Sequence, residues 1–466
     1  MIVKSLSFVA AATGGQRAGD DIICHGVTTD TRMAILGKLF IPLQGDRFDG
    51  HDYVQQAVEQ GASCFLWGSK QPVPERLRLV PHIRVTDTLR ALQDLASAYR
   101  QSLTVRVIGV TGSNGKTSAK DMIAAILADS FITYKTQGNL NNHIGLPLSI
   151  LNWNEDVQVA VLEMGMSAPN EIALLARIAR PEIGVITNIG EAHIGLLGSR
   201  ENIACAKWEL ISALPPHGLA VLPADERLLR RLPVPSGVQT MWAGEDRDAD
   251  IRFSNYTLTD AFGCQFRLDH CKDALEEESL VFELPVPGRH QVRNALCAIA
   301  VAAHFGIDHK LMQQRLAQAQ LTPMRMQILQ PKDDLIILLD AYNAAPASLQ
   351  AALLVLRDLP VNRRIAVLGD MLELGEQSAM MHEQMGRVTA YIADSLIAVG
   401  MFGRDYIAGI KAAGWDDAHV LLAVETVDQA RNELKNILDH TDGVKTAVLI
   451  KGSRKIQLER ILESLY

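Results

Sequence analysis

The segment TGSNGKTS at residues 111–118 has the residue types that bind a nucleoside triphosphate. Its glycines let backbone N–H groups turn inward around phosphate oxygens, and the helix predicted after it favours anions at its N-terminus. Lys116 can lie along the β- and γ-phosphates, and the Thr117 hydroxyl can ligate Mg²⁺. The amides around Ser113 and Asn114 are expected to grip the triphosphate. The residues expected to contact ATP here are Gly112, Ser113, Asn114, Gly115, Lys116, Thr117 and Ser118.

The glycine pattern departs from the usual phosphate loop at one position. The longer form of the motif would have glycine at 110, where this chain has Val110, and the shorter form Gly-x-x-Gly-Lys-Thr remains. A strand-like run precedes the motif and a helical pattern follows it, which is the context the motif requires. We therefore expect ATP binding.

Two later strand ends could supply metal ligands. The apolar run at 157–162 ends at Glu163, and the run at 183–187 leads to His193. Because ligands bind at the carboxyl edge of open α/β sheets, both side chains should lie near the loop. We expect Glu163 to ligate Mg²⁺, with a structural carboxylate as the alternative; for His193 a metal role and a structural role stay open. Lys207, in the helical pattern at 201–212, is by itself interpreted as a solvated helix lysine.

These residues need a parallel sheet to position them. Apolar runs alternate with helical patterns, which indicates βαβ units, and alternation at 251–258 and 264–268 predicts antiparallel strands. The predicted domains are residues 1–100, 101–320 and 321–466. The predicted helices are 53–60, 91–100, one ending at 128, 201–212 and 290–305. The predicted strands of the sheets are 105–110, 157–162, 183–187, 219–222, 335–339, 365–368, 395–399 and 447–450.

Composition limits the classes of partner. The 466 residues carry a net charge of −8, so the chain has no global attraction for nucleic acid, and no such partner is expected. The six cysteines form no C-x-x-C pair, which gives a zinc site no support and favours reduced core thiols. No run reaches the ~18 residues of a membrane helix, and no signal peptide is recognised. We expect a cytoplasmic protein without a membrane partner.

Several motifs together resemble the Mur ligases, the ATP-dependent amide-bond-forming enzymes of peptidoglycan synthesis. They are the loop at 111–118, NLNNHIGLP at 139–147, EMG at 163–165, TNIGEAH at 187–193 and GRHQVRNA at 288–295. The resemblance covers the whole chain. It implies an α/β fold of three domains: a small N-terminal uridine-nucleotide domain, a central phosphate-loop ATPase domain with a parallel sheet, and a C-terminal Rossmann-like domain.

The resemblance also implies roles that spacing does not give. Two Mg²⁺ ions would be held by Thr117, Glu163, His193 and Lys207, with a carbamate on Lys207 that turns a cation into an anionic ligand. The implied catalytic residues are Lys116, Lys207, His193, Asn139 and Asn142. The further nucleotide contacts implied are His290, Asn294, Arg325, Asp340, Tyr342 and Asn343.

Segments 340–346, 368–375 and 451–454 are most similar to the family member that joins D-alanyl-D-alanine to UDP-N-acetylmuramoyl-tripeptide. That resemblance implies an acyl-phosphate intermediate, release of ADP and phosphate, and a monomer acting on small molecules. The residues implied on the UDP side are Thr29, Asp30, Thr31, Arg32 and Gly45. Ala345 and Gln291 replace asparagines usual in the family, and Thr31 replaces a serine but keeps the hydroxyl.

Two alternatives stay open at this point. One is the family member that adds the third amino acid, lysine or diaminopimelate; the Asp-Asn-Pro-Arg sequence of its diaminopimelate-type members is absent from this chain. The other is a binding module of a different class, in which ATP drives a conformational switch. Product analysis separates them, because a switch yields ADP without a new amide bond.

Overall fold

A computed structural model describes residues 1–45, 48–70, 72–271, 280–415, 420–440 and 443–464. Three large sheets organise these residues, with five, nine and six strands in chain order. Among the described helices, none is both long and apolar enough to cross a bilayer. Cys24, Cys64, Cys264 and Cys297 are buried free thiols, whereas Cys205 is exposed and the side chain of Cys271 lies outside the described part.

The N-terminal region forms a five-stranded sheet in the order β2-β7-β6-β5-β4, beside a two-stranded ribbon of β1 and β3. Its strands are β1 Val3–Ser5, β2 Gln16–Ala18, β3 Ile23–His25, β4 Val27–Thr28, β5 Leu39–Phe40, β6 Cys64–Gly68 and β7 His82–Val85. Its helices are α1 Leu6–Thr13, α2 Val54–Glu59 and α3 Thr88–Gln101. Helices α2 and α3 confirm the predictions at 53–60 and 91–100. Helix α3 packs on the central region, where the Tyr99 hydroxyl donates to the carbonyl oxygen of Trp153 over 3.0 Å.

The central region contains the nine-stranded sheet. Its strands are β8 Arg106–Thr111, β9 Thr133–Lys135, β10 Val159–Glu163, β11 Ile183–Ile186, β12 Leu219–Pro223, β13 Gln239–Gly244, β14 Ile251–Leu258, β15 Cys264–Cys271 and β16 Leu280–Leu284. Its helices are α4 Lys116–Leu127, α5 Gly145–Leu151, α6 Glu171–Ala179, α7 Ile194–Leu197, α8 Arg200–Ser212, α9 Arg289–His304 and α10 His309–Ala317.

The strand order in this sheet places the phosphate loop between two polar strand ends. The order is β16-β15-β14-β13-β12-β11-β8-β10-β9; pairing is parallel from β9 to β14 and antiparallel from β14 to β16, as predicted. Strand β8 is buried on both faces, because Val107 packs into one core and Ile108 into the opposite one. The end of β8 is therefore fixed between the ends of β10 and β11.

The C-terminal region is a six-stranded Rossmann-like sheet in the order β17-β18-β22-β19-β20-β21, parallel except for the β17–β18 hairpin. Its strands are β17 Gln327–Lys332, β18 Leu335–Asp340, β19 Arg363–Gly369, β20 Ser395–Val399, β21 Val420–Val424 and β22 Thr446–Lys451. Its helices are α11 Pro346–Asp358, α12 Ser378–Ala390, α13 Gly403–Ala412 and α14 Val427–Asp439. The carboxyl ends of β18 and β22 face the central region, because Asp340 and Lys451 line one cavity together with Asn294 of α9.

Candidate nucleotide and metal site

The phosphate loop joins β8 to α4 through two glycines with left-handed backbone. Gly112 has φ 145° and Gly115 has φ 81°. A Cβ at Gly112 would lie 1.9 Å from Thr187 Oγ1, and one at Gly115 would lie 2.3 Å from Asn294 Oδ1. Both positions therefore require glycine, for backbone conformation and for space.

The backbone amides of the loop form two groups: two of them donate to protein groups, and those of the following helical turn have no partner within the helix. The Ser113 N–H donates to the Asn188 carbonyl over 3.1 Å, and the Asn114 N–H donates to Asn188 Oδ1 over 2.9 Å. These two amides, expected to grip phosphate, are thus bound to protein here. The first turn of α4 starts after Gly115, and the N–H groups of a first turn have no partner within their own helix. They are the groups available to an anion.

Glu163 lies beside the loop, where its strand position predicted it. Thr117 Oγ1 donates to Glu163 Oε2 over 2.8 Å, and Asn141 Nδ2 donates to Glu163 Oε1 over 2.8 Å. The Glu163 side chain is buried, with 3% exposure for the residue. A hydroxyl and a carboxylate therefore meet at the end of the loop, with an amide to orient the carboxylate. Asn141 was not singled out from the sequence, although it lies inside the motif at 139–147.

His193 contacts the C-terminal region. Its Nδ1 lies 2.8 Å from Glu373 Oε2, and both residues have left-handed backbone, with φ 67° and 70°. The close approach of His193 holds the pKa of the Glu373 carboxyl below its usual range. Glu373 was not singled out, because nothing in the sequence pairs residues of different domains.

Lys207 is not the solvated helix lysine that its pattern indicates. It lies in α8 with 2% exposure. Burial, and next the nearby charge of Lys116, lower the pKa of its amine well below the usual value. In the described part of the chain no carboxylate forms an ion pair with it. Its amine therefore has a strong tendency to lose its proton.

Helix α9 closes the loop from the side. Asn294 and Gln291 are buried, and Asn294 Nδ2 donates to Gln291 Oε1 over 3.1 Å. Burial lowers the pKa of the His290 imidazole to about 4, against an opposing effect of Asp340. His290 is accordingly neutral at pH 7.

The C-terminal region reaches over the loop. An Arg325 NH2 group donates to Thr117 Oγ1 over 3.2 Å, and its guanidinium carbon lies 4.1 Å from the Tyr342 ring centre. Lys451 Nζ lies 2.6 Å from Asp340 Oδ2 and donates to the Asn343 carbonyl over 2.9 Å. The buried Lys451 belongs to the segment at 451–454 that carries part of the family resemblance, but it was not predicted as a site residue.

One cavity of about 400 Å³ lies between the two regions. Of the predicted residues, those lining it are Asn114, Gly115, Ser118, His290, Asn294, Arg325, Asp340 and Asn343. Its other walls include Asn188, Arg200, Arg293 and Lys451. The cavity thus extends from the loop toward α9 and the C-terminal sheet.

Other predicted residues do not line this cavity. Asn142 Oδ1 accepts from the amide of Gly145 over 2.8 Å at the start of α5, and Asn139 is exposed. On the UDP side, Arg32 donates to its neighbour Asp30 over 2.7 Å. The remaining residues predicted for that side, Thr29, Thr31 and Gly45, also lie in the N-terminal region away from the cavity lining.

Comparison with known proteins supplies the family. The Mur ligase middle domain matches residues 110–302, the Mur ligase glutamate ligase domain matches 324–454, and the Mur ligase family catalytic domain matches 23–100. A UDP-N-acetylmuramoyl-tripeptide–D-alanyl-D-alanine ligase of Bacillus subtilis (strain 168) is 39% identical, covering 99% of this chain and 98% of its own. The chain belongs to the Mur ligase family.

This Mur ligase also resembles solved structures along its length. A structure of MurF from Acinetobacter baumannii has a TM-score of 0.89 and 30% identity, covering 100% of this chain and 99% of its own. A MurF ligase from Thermotoga maritima, in complex with ADP, has a TM-score of 0.81 and 27% identity, covering 95% of this chain and 97% of its own. The three-domain α/β fold implied by the resemblance is confirmed. The domain limits at 100/101 and 320/321 stay a prediction.

Proposed function

We propose that this protein is an ATP-dependent ligase that joins D-alanyl-D-alanine to UDP-N-acetylmuramoyl-tripeptide, with release of ADP and phosphate, in peptidoglycan precursor synthesis. The observation that carries the proposal is the phosphate loop closed by Arg325 of the C-terminal domain, in a chain 39% identical to the B. subtilis ligase over 99% of its length. The same proposal includes a cytoplasmic location, a monomeric state and domains at 1–100, 101–320 and 321–466.

The nucleotide is assigned to the cavity between the central and C-terminal domains. Its phosphates would face the first turn of α4, where free amides and the helix dipole favour anions. Lys116 Nζ donates to the Gly112 carbonyl over 2.8 Å and can turn toward phosphate. The adenine side is assigned to α9 with His290 and Asn294, and the contacts from the C-terminal domain to Arg325, Asp340, Tyr342 and Asn343.

Two of the predicted metal ligands, Thr117 and Glu163, suit Mg²⁺. Thr117 Oγ1 and the Glu163 carboxylate are 2.8 Å apart, and hard oxygen donors are what Mg²⁺ prefers. Within the described residues, no three His, Cys, Asp or Glu side chains form a ready metal cluster. The ion, when bound, neutralises developing charge on the transferred phosphoryl group. Thr117 and Glu163 are proposed to hold the first ion.

The second proposed ion site requires a change at Lys207. A bare ammonium would repel a cation, whereas a carbamate would present oxygen donors. The buried amine with lowered pKa fits that modification, because carbamate formation starts from the neutral amine. His193 is proposed as the further ligand of this site.

The reaction needs a leaving group on a carboxylate. The terminal carboxylate of the UDP-linked peptide attacks the γ-phosphorus, which forms an acyl phosphate and releases ADP. The free amine of D-alanyl-D-alanine then attacks the acyl carbon, and phosphate leaves from the tetrahedral intermediate. The chain's own part is to hold the groups in line, place Lys116 and Arg325 against the developing charge, and exclude water by domain closure. Asn139 and Asn142 are proposed as further catalytic residues, and Thr29, Asp30, Thr31, Arg32 and Gly45 as UDP-side contacts.

Product analysis tests the function. Purified protein is incubated with UDP-N-acetylmuramoyl-tripeptide, ATP, Mg²⁺ and D-alanyl-D-alanine. The mass of the sugar nucleotide is then measured by mass spectrometry. We expect one amide-linked dipeptide per ADP formed. Lys116→Ala should lower the rate at least about 100-fold, because a charge that faces the transferred phosphoryl group is removed. A product only from the UDP-dipeptide with lysine or diaminopimelate would establish the other family member, and ADP without an amide would establish a switch.

A further inference from the structure

The linker into the C-terminal domain is tied to the phosphate-loop helix. Thr322 donates to Asp121 Oδ2 twice, from its N–H over 2.9 Å and from its hydroxyl over 2.7 Å. Asp121 lies on α4 four residues after Thr117, so one helical turn, about 6 Å along the axis, separates the linker contact from the loop. We call the Asp121–Thr322 contact the linker clasp.

The clasp carboxylate is held in its ionised form. The Asp121 side chain has 0% exposure and lies 2.7 Å from Lys135 Nζ and 3.5 Å from Lys120 Nζ. Burial alone would raise the pKa of Asp121, but Lys120 and the hydrogen bonds from Lys135 and Thr322 outweigh burial and lower it. Both lysines approach Oδ1, which leaves Oδ2 to the linker.

A second route connects the clasp to the proposed metal ligand. Lys120 Nζ donates to the Thr136 carbonyl over 2.9 Å, and Thr136 Oγ1 accepts from the Glu163 amide over 3.0 Å. All these groups are buried. The strand end that carries Glu163 and the linker are therefore connected through hydrogen bonds and the Lys120–Asp121 ion pair.

The linker after the clasp has an unusual backbone that restricts Arg325. Met324 has φ 60° and Met326 has φ 54°, a region that non-glycine residues seldom adopt. The Met326 amide donates to Asp340 Oδ1 over 3.1 Å, so the C-terminal domain fixes the other end. Three residues span at most about 11 Å, so the clasp limits where Arg325 can lie. Arg325 meets Thr117 within that range.

We propose that Asp121 is a positioning residue: by holding Thr322 it fixes the pivot of the C-terminal domain, so that closure returns Arg325 to Thr117 at the phosphate loop. The inference rests on the proposed function, since it assigns Asp121 a part in that reaction. Asp121 acts through Thr322 and the linker. The loss of the clasp should therefore slow turnover while nucleotide binding by the loop persists.

Thr322→Val tests the proposal with little change of shape. The valine keeps the N–H donor and loses the hydroxyl donor. We expect kcat of the ligase reaction to fall about tenfold, equivalent to about 1.4 kcal/mol, and the Kd for ADP measured by calorimetry to stay within about twofold. Thr322→Ser is the matched control, and because it keeps the hydroxyl its kcat should stay within about twofold of wild type.

A double-mutant cycle separates the clasp from general destabilisation. Asp121→Asn should lower kcat on its own, and adding Thr322→Val to it should cost less than Thr322→Val costs in wild type, because the two residues share one contact. The ADP affinity of each variant reports whether its central domain is folded.

Three results would overturn the inference alone: wild-type kcat in Thr322→Val, an equal loss in Thr322→Ser, or full additivity with Asp121→Asn. A wild-type protein that forms no amide would instead overturn the proposed function, and the inference with it.

Discussion

Lys207 is a buried lysine in a helix with little exposed surface. Residues of α8 on several sides are buried, among them Ile203, Trp208 and Leu210. The Lys207 amine is shielded from solvent and has no ion-paired carboxylate among the described residues, so the neutral amine is favoured. The neutral amine is the form that the carbamate proposed for Lys207 requires.

The carbamate proposed on Lys207 can be tested directly. Protein equilibrated with ¹³C-labelled bicarbonate should show a carbamate signal by NMR that is absent in Lys207→Arg. The signal should grow as the pH rises, because the neutral amine is the reacting form and its fraction increases toward higher pH. The same signal in Lys207→Arg would assign the label to another amine.

His290 should make the stability of the protein depend on pH. Its pKa falls from 6.5 to about 4 in the folded chain, so between these values the unfolded state binds the extra proton. The free energy of unfolding therefore has its full value above pH 6.5 and decreases as the pH falls toward 4. From pH 7 to pH 5 the decrease is about 2 kcal/mol. Urea unfolding of wild type and His290→Asn measures it. Equal losses in both proteins would contradict the assignment to His290.

At the scale of elements, the loop between β8 and α4 depends on its glycines, and Gly115 is the one that also contacts α9. Gly115 combines left-handed backbone with the close approach of Asn294 from α9. Side chains at that position would push α9 away from the loop. The same residue also ends the strand-to-helix turn, so the first-turn amides of α4 follow directly after it.

Gly115→Ala should weaken ATP binding strongly. The Cβ would lie 2.3 Å from Asn294 Oδ1, and the left-handed backbone adds about 1 to 2 kcal/mol of strain. We expect at least a tenfold rise in the Kd for ATP by calorimetry. Gly138→Ala is the matched control, because Gly138 is also left-handed, with φ 55°, but a Cβ there meets nothing within 4 Å. Equal affinities in the two variants would show that the contact with Asn294 does not matter.

The elements that the sequence predicts well are those with two buried faces or clear alternation. Strands β8, β10 and β11 are continuous apolar runs because helices cover both sides of the sheet. Strand β9 has three residues of intermediate burial, and its sequence Thr133–Lys135 carries no such signal. The antiparallel strand β14 shows alternating burial, which is the pattern that identified it.

The candidate site was predictable where a motif fixes a strand end, as for Glu163. The site was not predictable where either of two adjacent side chains could have faced it. Asn141 contacts Glu163 whereas Asn142 starts α5, and only the turn of the backbone between them decides which side chain faces the site. Asn188 takes up two loop amides for a similar reason, since its position depends on the register of β11 against β8.

At the scale of the whole molecule, the site exists only because two domains meet. Arg325 reaches Thr117, and Glu373 lies against His193. Gly195 and Gly375 let the two backbones approach beside that pair, since a Cβ at Gly195 would lie 2.9 Å from the Gly375 nitrogen. Contacts of this kind join residues far apart in the chain, and neither periodicity nor spacing encodes them.

Glu373→Ala should favour the open arrangement of the domains. Exposed ion pairs contribute at most about 1 kcal/mol, so the closure equilibrium should shift by up to about fivefold. Fluorescence transfer between labels on the central and C-terminal domains, with ATP analogue present, measures the closed fraction. Glu376→Ala, an exposed glutamate in the same segment, is the control, and an identical closed fraction in both variants would contradict a role for the His193 contact.

The most direct test of the account follows oxygen from the peptide carboxylate to phosphate. UDP-N-acetylmuramoyl-tripeptide carrying ¹⁸O in its terminal carboxylate is incubated with ATP, Mg²⁺ and D-alanyl-D-alanine, and the released phosphate is analysed by mass spectrometry. Because the carboxylate oxygen that attacks the γ-phosphorus leaves with the phosphoryl group, we predict one ¹⁸O in each phosphate formed with an amide. Amide formation with unlabelled phosphate, or phosphate release without any amide, would contradict the account.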